Sequence, residues 1–361
     1  MKTNLFYALL LLFLCNCEKE VGGTSSNNNE NVSKVVNIEI PVKDFNRPTI
    51  SVKIYMPKGY DPSNLTIKYN AIIFLHGASP NDYNFISNVV KPSMDTLTKF
   101  GKMPPTIVIM PSLIHPKEPS YGNRHFYLNS EFYGNYENVI FQILDYLNGT
   151  TEQNFKEKIL TDRSHLSIAG FSMGADGALR IGLRHPDKFV AIASHGAAPT
   201  FSYEVVNSFI LSNLLFENQN SKDVNGNYVY KPQNGFLTEA MWGLSAAFSS
   251  LKNGEIQFLF NPNGTINSDL HQDWLKKADC KTIILTNKLY QTKENSPHLY
   301  FEVGSLDNFL GYNDYFIFKE LAPMGIANNY YQYVVSQGLG HGLEVKRAMG
   351  SLEFLGSKFS R

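Results

Sequence analysis

From about residue 35 onward, short apolar runs alternate with longer stretches in which apolar residues recur at helical spacing. The runs 35–40 and 50–56 alternate in part between apolar and polar positions and predict strands. The runs 71–75, 106–110, 166–169, 189–193, 299–303 and 330–335 are almost wholly apolar and of strand length. Strands with no polar face belong in a parallel sheet that is covered on both sides. Between them, 135–147, 173–184, 203–216, 312–324 and 343–359 predict helices. In the second of these, Ala178, Leu179, Ile181 and Leu183 supply a sheet-facing stripe, and Pro186 blocks continuation beyond His185. The alternation of strand and helix predicts an α/β architecture, a mostly parallel sheet with helices on both faces. The stretch 201–275 breaks the rhythm and carries Gly- and Asn-rich turns near 223–227 and 261–267. It reads as an insertion that shapes or covers a site. No repeat of solenoid period is present.

The first residues follow a different logic. Lys2 precedes an apolar run, 5–14, too short to span a bilayer comfortably, which is the pattern of a signal peptide. Cys15-Asn16-Cys17-Glu18-Lys19-Glu20 follows, and it resembles a bacterial lipoprotein signal. Cys17 is the expected lipidated residue because charges follow it at once, although Asn16 stands where a smaller residue is usual. The organisation expected is a signal peptide at 1–16, a lipidated cysteine and Gly/Ser/Asn-rich tether at 17–34, and one body at 35–361. The destination is then an exported, membrane-anchored lipoprotein, periplasmic or on the cell surface, touching the membrane through its lipid alone.

Composition narrows the function classes. Lys+Arg and Asp+Glu both number 32, and removal of Lys2 with the leader leaves 31 against 32. No basic field is present to hold nucleic acid, and no polybasic run to adhere to anionic lipid. Cys280 is the one cysteine of the body, so no internal disulfide framework can form there. Most of the 20 Tyr and 25 Phe belong to the core, and some can line a pocket for a ring-bearing or sugar-like ligand. No oligomeric state follows from these figures.

The chemistry concentrates in Gly170-Phe171-Ser172-Met173-Gly174, which follows one predicted strand and opens a predicted helix. That is the context of a nucleophile elbow. The turn forces Ser172 into a strained backbone conformation. The residues two before and two after must be small, and Gly170 and Gly174 are. The hydroxyl is then raised above the sheet edge beside free amides at a helix N-terminus, where developing negative charge is favoured. Of the two amides needed for an oxyanion hole, one falls to Met173. The other falls to the loop Leu75-His76-Gly77-Ala78, with Ala78 preferred and Gly77 or Ser79 open. His76 either braces this loop or reaches the substrate. In an elbow-bearing chain the acid follows a later strand and the histidine comes last. Asp307, in the loop after Gly304, fits the acid, with Asp314 and Glu302 as alternatives. His341, between Gly340 and Gly342, fits the base. His195 falls between nucleophile and acid, which is the wrong order, but it can line the pocket. Tyr121, Arg124 and Tyr127 of the segment 121–127 are further expected substrate contacts, unless they only pack the loop. No metal set and no organic cofactor is called for.

With Leu75-His76-Gly77, the run Tyr127 to Glu137 (YLNSEFYGNYE), Ala169 to Ala175, Leu183 to Phe189, Gly304 to Asp307 and Gly340 to Gly342, the chain resembles the "Putative esterase" family of α/β-hydrolases. That family includes esterase D-like, feruloyl esterase-like and mycolyltransferase-like members. Two departures stand out: the elbow continues Ala175-Asp176-Gly177, where a second glycine after Gly174 is common, and His195 stands where a small residue is usual. The resemblance implies an α/β-hydrolase fold and a serine esterase. It would act without metal or cofactor on a small or carbohydrate-linked ester, of acetyl or feruloyl type. Acyl transfer to a sugar alcohol and a non-catalytic glycan-binding surface lipoprotein are the rival readings.

Overall fold

The computed structural model describes residues 32–79, 81–114, 124–149, 155, 157–287, 296–326 and 330–360. Eight strands form one sheet: β1 (Lys34–Pro41), β2 (Thr49–Met56), β3 (Asn70–Leu75), β4 (Thr106–Pro111), β5 (Leu166–Phe171), β6 (Ala191–His195), β7 (His298–Gly304) and β8 (Tyr331–Ser336). Their spatial order is β1-β2-β4-β3-β5-β6-β7-β8. β2 pairs antiparallel with both β1 and β4, and every later pairing is parallel.

The helices are α1 (Asp82–Lys99), α2 (Tyr136–Gly149), α3 (Met173–Arg184), α4 (Phe236–Phe248), α5 (Ser268–Ala278), α6 (Cys280–Thr286), α7 (Leu310–Tyr315) and α8 (Val345–Gly356). They bury both sides of the sheet, and the pleat of β3 displays the division. Ala71, Ile73 and Leu75 join a core with α2, α3 and the connection between β6 and β7. Ile72 and Phe74 join a second core with α1 and α8. A strand whose alternate residues enter two cores must be largely apolar, which is why β3, β4 and β5, buried throughout, are almost wholly apolar.

The eight predicted strands all form. β6 begins two residues later than the apolar pattern places it. It runs on through Ser194 to His195, whose polar ring the interior accepts because both of its nitrogens find hydrogen-bonding partners there. The helix α1 was not among those expected. Its sequence carries Pro92 and many polar residues, yet Ile86, Val89, Val90, Met94 and Leu97 lie on one buried stripe. That spacing is the signal that could have found it.

The stretch read as an insertion lies within the connection 196–297. A helical run of Tyr203–Val205, a π-helical segment Val206–Leu211 and Ser212–Glu217 is followed by α4, α5 and α6. Three tight hairpins, closed by the pairs Lys222↔Tyr228, Ser250↔Ile256 and Phe260↔Ile266, separate these helices. Each turns on an Asn-Gly step, with Gly226, Gly254 and Gly264 at φ of 83°, 84° and 80°. Arg180 of α3, wholly buried, ties this connection to the sheet. It donates to the carbonyls of Ala278 and Ala198 and pairs with Asp176 at 2.7 Å. Burial pushes the Asp176 carboxyl up, against the opposing pull of Arg180.

Candidate active site

Ser172 stands between the last residue of β5 and the first of α3, at φ 55° and ψ −122°. A non-glycine residue at such angles carries about 1–3 kcal/mol of strain, and the neighbouring packing holds it there. A Cβ added to Gly170 would lie 2.1 Å from the Gly174 carbonyl oxygen. One added to Gly174 would lie 2.2 Å from the carbonyl oxygen of Leu75. The two glycines therefore allow strand, helix and the end of β3 to meet. The Ser172 amide donates to the carbonyl of His195 at 2.9 Å, which fixes the turn from β6.

The three residues expected to act together converge. His341 Nε2 is 2.9 Å from Ser172 Oγ, across 169 positions of sequence. His341 Nδ1 is 2.9 Å from Asp307 Oδ2. A carboxylate only accepts, so Nδ1 carries the proton and Nε2 is the acceptor that faces the serine hydroxyl. The other oxygen, Asp307 Oδ1, accepts the Phe309 amide at 2.9 Å, which locks the carboxylate plane. The rings of Phe171 and Phe309 lie 5.0 Å from the imidazole, and they confine it. Gly196 supplies the space beneath this pair. It has φ +67°, and a Cβ there would come within 3.1 Å of both Asp307 Oδ2 and the His341 ring.

A buried network supports the base from behind. Arg347 of α8 donates through Nη1 to the carbonyl of Gly340 at 3.1 Å and through Nε to Glu302 at 2.8 Å. Glu302 also receives Ser336 Oγ and faces His195 Nδ1 at 3.0 Å, while His195 Nε2 lies 2.8 Å from Ser351 Oγ. Burial alone would raise the Glu302 carboxyl, but hydrogen bonds from His195, Arg347 and Ser336 outweigh it and hold the group below the usual range. Glu302 is thus a structural anion. Asp314, the other alternative acid, accepts the Tyr333 hydroxyl instead.

At the oxyanion side, Met173 occupies the first turn of α3. In the facing loop the Ser79 amide donates to Asp82 Oδ2 at 3.0 Å, so the second oxyanion amide falls to Ala78 or Gly77. Asp82 escaped the sequence reading. A Cβ built on Gly77 would lie 2.2 Å from its carboxylate and 3.3 Å from Ser172 Cβ, which places an acid beside the nucleophile. Burial raises this carboxyl, against the opposing pull of the Ser79 amide and then of His341.

Three of the expected substrate contacts, His76, Tyr127 and His195, are corrected by their burial, and a fourth, Arg124, is engaged in an ion pair. His76 is 1% exposed: Nε2 accepts the Leu113 amide at 3.1 Å, and Nδ1 lies 2.7 Å from the Gly77 carbonyl. Burial lowers it to about 4, so it remains a neutral brace for the loop. Tyr127 is fully buried and donates its hydroxyl to the His76 carbonyl at 2.8 Å. Its ring fills the space where Gly177 lacks a side chain, which accounts for that glycine after the elbow. His195 is fully buried in the network behind the base. Arg124 is paired with Glu239 at 2.9 Å and packs over the Phe236 ring, which joins the segment to α4. Tyr121 lies outside the described residues. What the sequence reading missed is a ladder of rings leading away from the base. Phe309 lies 5.8 Å from Tyr312, and Tyr312 lies 5.7 Å from Phe209. The sequence placed both residues only on predicted helices, and they lie 103 positions apart in the chain.

Residues 45–344 match the sequence profile of the family described as "Putative esterase". The chain belongs to that family. Over 131 residues it is also 32% identical to endo-1,4-β-xylanase Y of Acetivibrio thermocellus. That match takes in 35% of this chain and 11% of the xylanase, so this esterase-family chain spans only a small part of that relative. Among solved structures, a ferulic acid esterase superposes with a TM-score of 0.60 at 20% identity, covering 91% of this chain and all of the other (100%). The fluorophosphonate-binding serine hydrolase F of Staphylococcus aureus gives 0.57 at 15% identity, covering 90% and 99%. An S-formylglutathione hydrolase from Agrobacterium tumefaciens gives 0.54 at 15% identity, covering 93% and 99%. The esterase-family chain has the α/β-hydrolase fold, as the resemblance implied.

Proposed function

We propose that the chain is a serine carboxylic-ester hydrolase acting through an acyl-enzyme on carbohydrate-linked or small esters with an aromatic acyl group. The observation that carries the first half is the unbroken hydrogen-bond path from Ser172 through His341 to Asp307. His341 Nε2 takes the hydroxyl proton as Ser172 Oγ attacks the ester carbonyl. The carbonyl oxygen becomes an oxyanion facing the amides of Met173 and Ala78. Asp307 stabilises the imidazolium, which then protonates the departing alcohol. A water deprotonated by the same nitrogen attacks the acyl-serine, releases the acid and restores the hydroxyl.

The aromatic acyl group is supported by the ring ladder Phe309, Tyr312 and Phe209, which begins against the base and ends at a ring that is 40% exposed. Flat apolar surfaces of this kind bind a conjugated ring with little orientational loss. A polysaccharide source for the ester is supported by the similarity to part of a xylanase. A fluorophosphonate should inactivate the protein with one phosphonyl group, found on Ser172 by peptide mass spectrometry. An adduct on any other residue, or full activity after treatment, would sink this reading. Methyl ferulate should be turned over with a lower KM than p-nitrophenyl acetate.

The protein is proposed to work outside the cytoplasm, tethered through Cys17. Cys17→Ser should move it from the membrane fraction to the soluble one, and unchanged fractionation would reject the tether.

A further inference from the structure

The hairpins of the connection 196–297 hold a second cleft that takes no part in the catalytic hydrogen-bond path. It opens between the hairpin that carries Gly226, the one that carries Gly264, and helix α4. The first and third hairpins are locked together, since the Tyr228 amide donates to the Pro262 carbonyl at 2.7 Å. Four rings line the cleft in series. Tyr228 lies 5.9 Å from Tyr230 with 10° between planes, Tyr230 lies 5.0 Å from Phe258, and Phe258 lies 4.7 Å from Trp242. Tyr230 is buried, but Tyr228, Phe258 and Trp242 remain half-exposed. The Trp242 indole nitrogen donates to the Tyr230 carbonyl at 3.1 Å, which fixes the indole plane.

Around these rings the rim is made of amides and one acid: Asn227, Gln257, Asn261 and Asp223. Rigid rings with amide and carboxylate groups at their edges suit one ligand chemistry. The apolar C–H faces of a pyranose stack on the rings, and its vicinal hydroxyls exchange hydrogen bonds with the rim. The Asp223 carboxylate is fixed at the rim by the Asn225 and Asn227 amides, so a multiply anionic ligand would meet it, and a nearby cation, Lys222, is seated 4.3 Å over the Tyr228 ring.

We propose that this cleft binds a neutral polysaccharide chain and holds the esterase on the polymer whose ester groups it removes. The identity of the polymer rests on the function proposed above; the existence of a sugar site does not. The cleft is built on hairpins fixed by Asn-Gly turns, so it is preorganised, and binding need not order a loop.

The chain offers its own reporter. It has two tryptophans, and Trp274 is fully buried. Quenching of fluorescence by acrylamide therefore reads Trp242. The wild-type full-length protein would be titrated with xylohexaose and, separately, cellohexaose, up to about 10 mM, a range that captures Kd values as weak as a few millimolar. Xylohexaose is expected to protect Trp242 from acrylamide at least twofold, with saturation, and xylose alone is not. In Trp242→Phe the quenchable component should disappear, which confirms the assignment of the signal. Gln257→Ala, at an exposed rim position, should weaken the saturation point severalfold. Protection by cellohexaose instead of xylohexaose would keep the site and change the polymer. No protection by either oligosaccharide overturns the proposal. So does saturation that survives unchanged in Gln257→Ala and is competed by methyl ferulate, because that would place the sugar in the catalytic pocket. Hydrolysis of p-nitrophenyl acetate by the same wild-type sample tests the esterase reading on its own.

Discussion

Ser172→Ala lowers kcat for p-nitrophenyl acetate by about 10⁵-fold or more, equivalent to roughly 7 kcal/mol of lost transition-state stabilisation. The loss is this large because the substitution removes the atom that forms the acyl bond, while His341, Asp307 and the amides stay in place. Residual turnover should reflect only binding and the oxyanion amides acting on water. KM should change little, since the hydroxyl contributes almost nothing to ground-state affinity. Stability should hold or improve slightly, as Ala at φ 55° is strained much as Ser is. Wild-type-like rates in a purified, folded Ser172→Ala sample would remove the serine mechanism altogether.

Asp307→Asn lowers kcat by about 10³–10⁴-fold, and the hydrogen bonds around it dictate how. The Phe309 amide donates to Asp307 Oδ1, so an asparagine must keep its oxygen on that side. Its NH₂ group then faces His341 Nδ1, which must become an acceptor. The ring proton moves to Nε2, the nitrogen that lies 2.9 Å from Ser172 Oγ. A protonated Nε2 cannot receive the serine proton, so attack is blocked although no distance needs to change. Steady-state kinetics on both variants and the parent would check this: a fall of less than tenfold for Asp307→Asn would show that the carboxylate does not set the tautomer.

The sequence carried the sheet and the triad for reasons that are physical. Strands buried on two faces must be apolar, and that leaves an unmistakable run of residues. The elbow needs glycine at two fixed offsets because backbone atoms occupy the space of a side chain, and this too is written locally. The order nucleophile, acid, base placed Asp307 and His341 without knowledge of any contact. The pocket was much less legible. His76, Tyr127 and His195 are polar or polar-tipped residues close to the triad in sequence pattern. Whether such a residue faces a cavity or a neighbouring carbonyl depends on tertiary contacts. His76 meets the Leu113 amide, and His195 meets Glu302 and Ser351. Neither partner can be inferred from spacing. Phe209 and Tyr312 approach each other only because the connection after β6 folds back against α7, and no local signal records that. The helix α1 was hidden for a different reason: its apolar stripe was sound, but Pro92 and the polar residues between its members masked the period.

The hold of Arg347 on the Gly340 carbonyl has a consequence for how the enzyme comes into being. The base is positioned from the final helix, and the nucleophile is set by an elbow formed far earlier during synthesis. A chain in which α8 is undocked would lose this hold on the Gly340 carbonyl and leave His341 unpositioned. Hydrolytic competence therefore depends on the docking of α8, so ester cleavage reports that this helix is seated against the sheet.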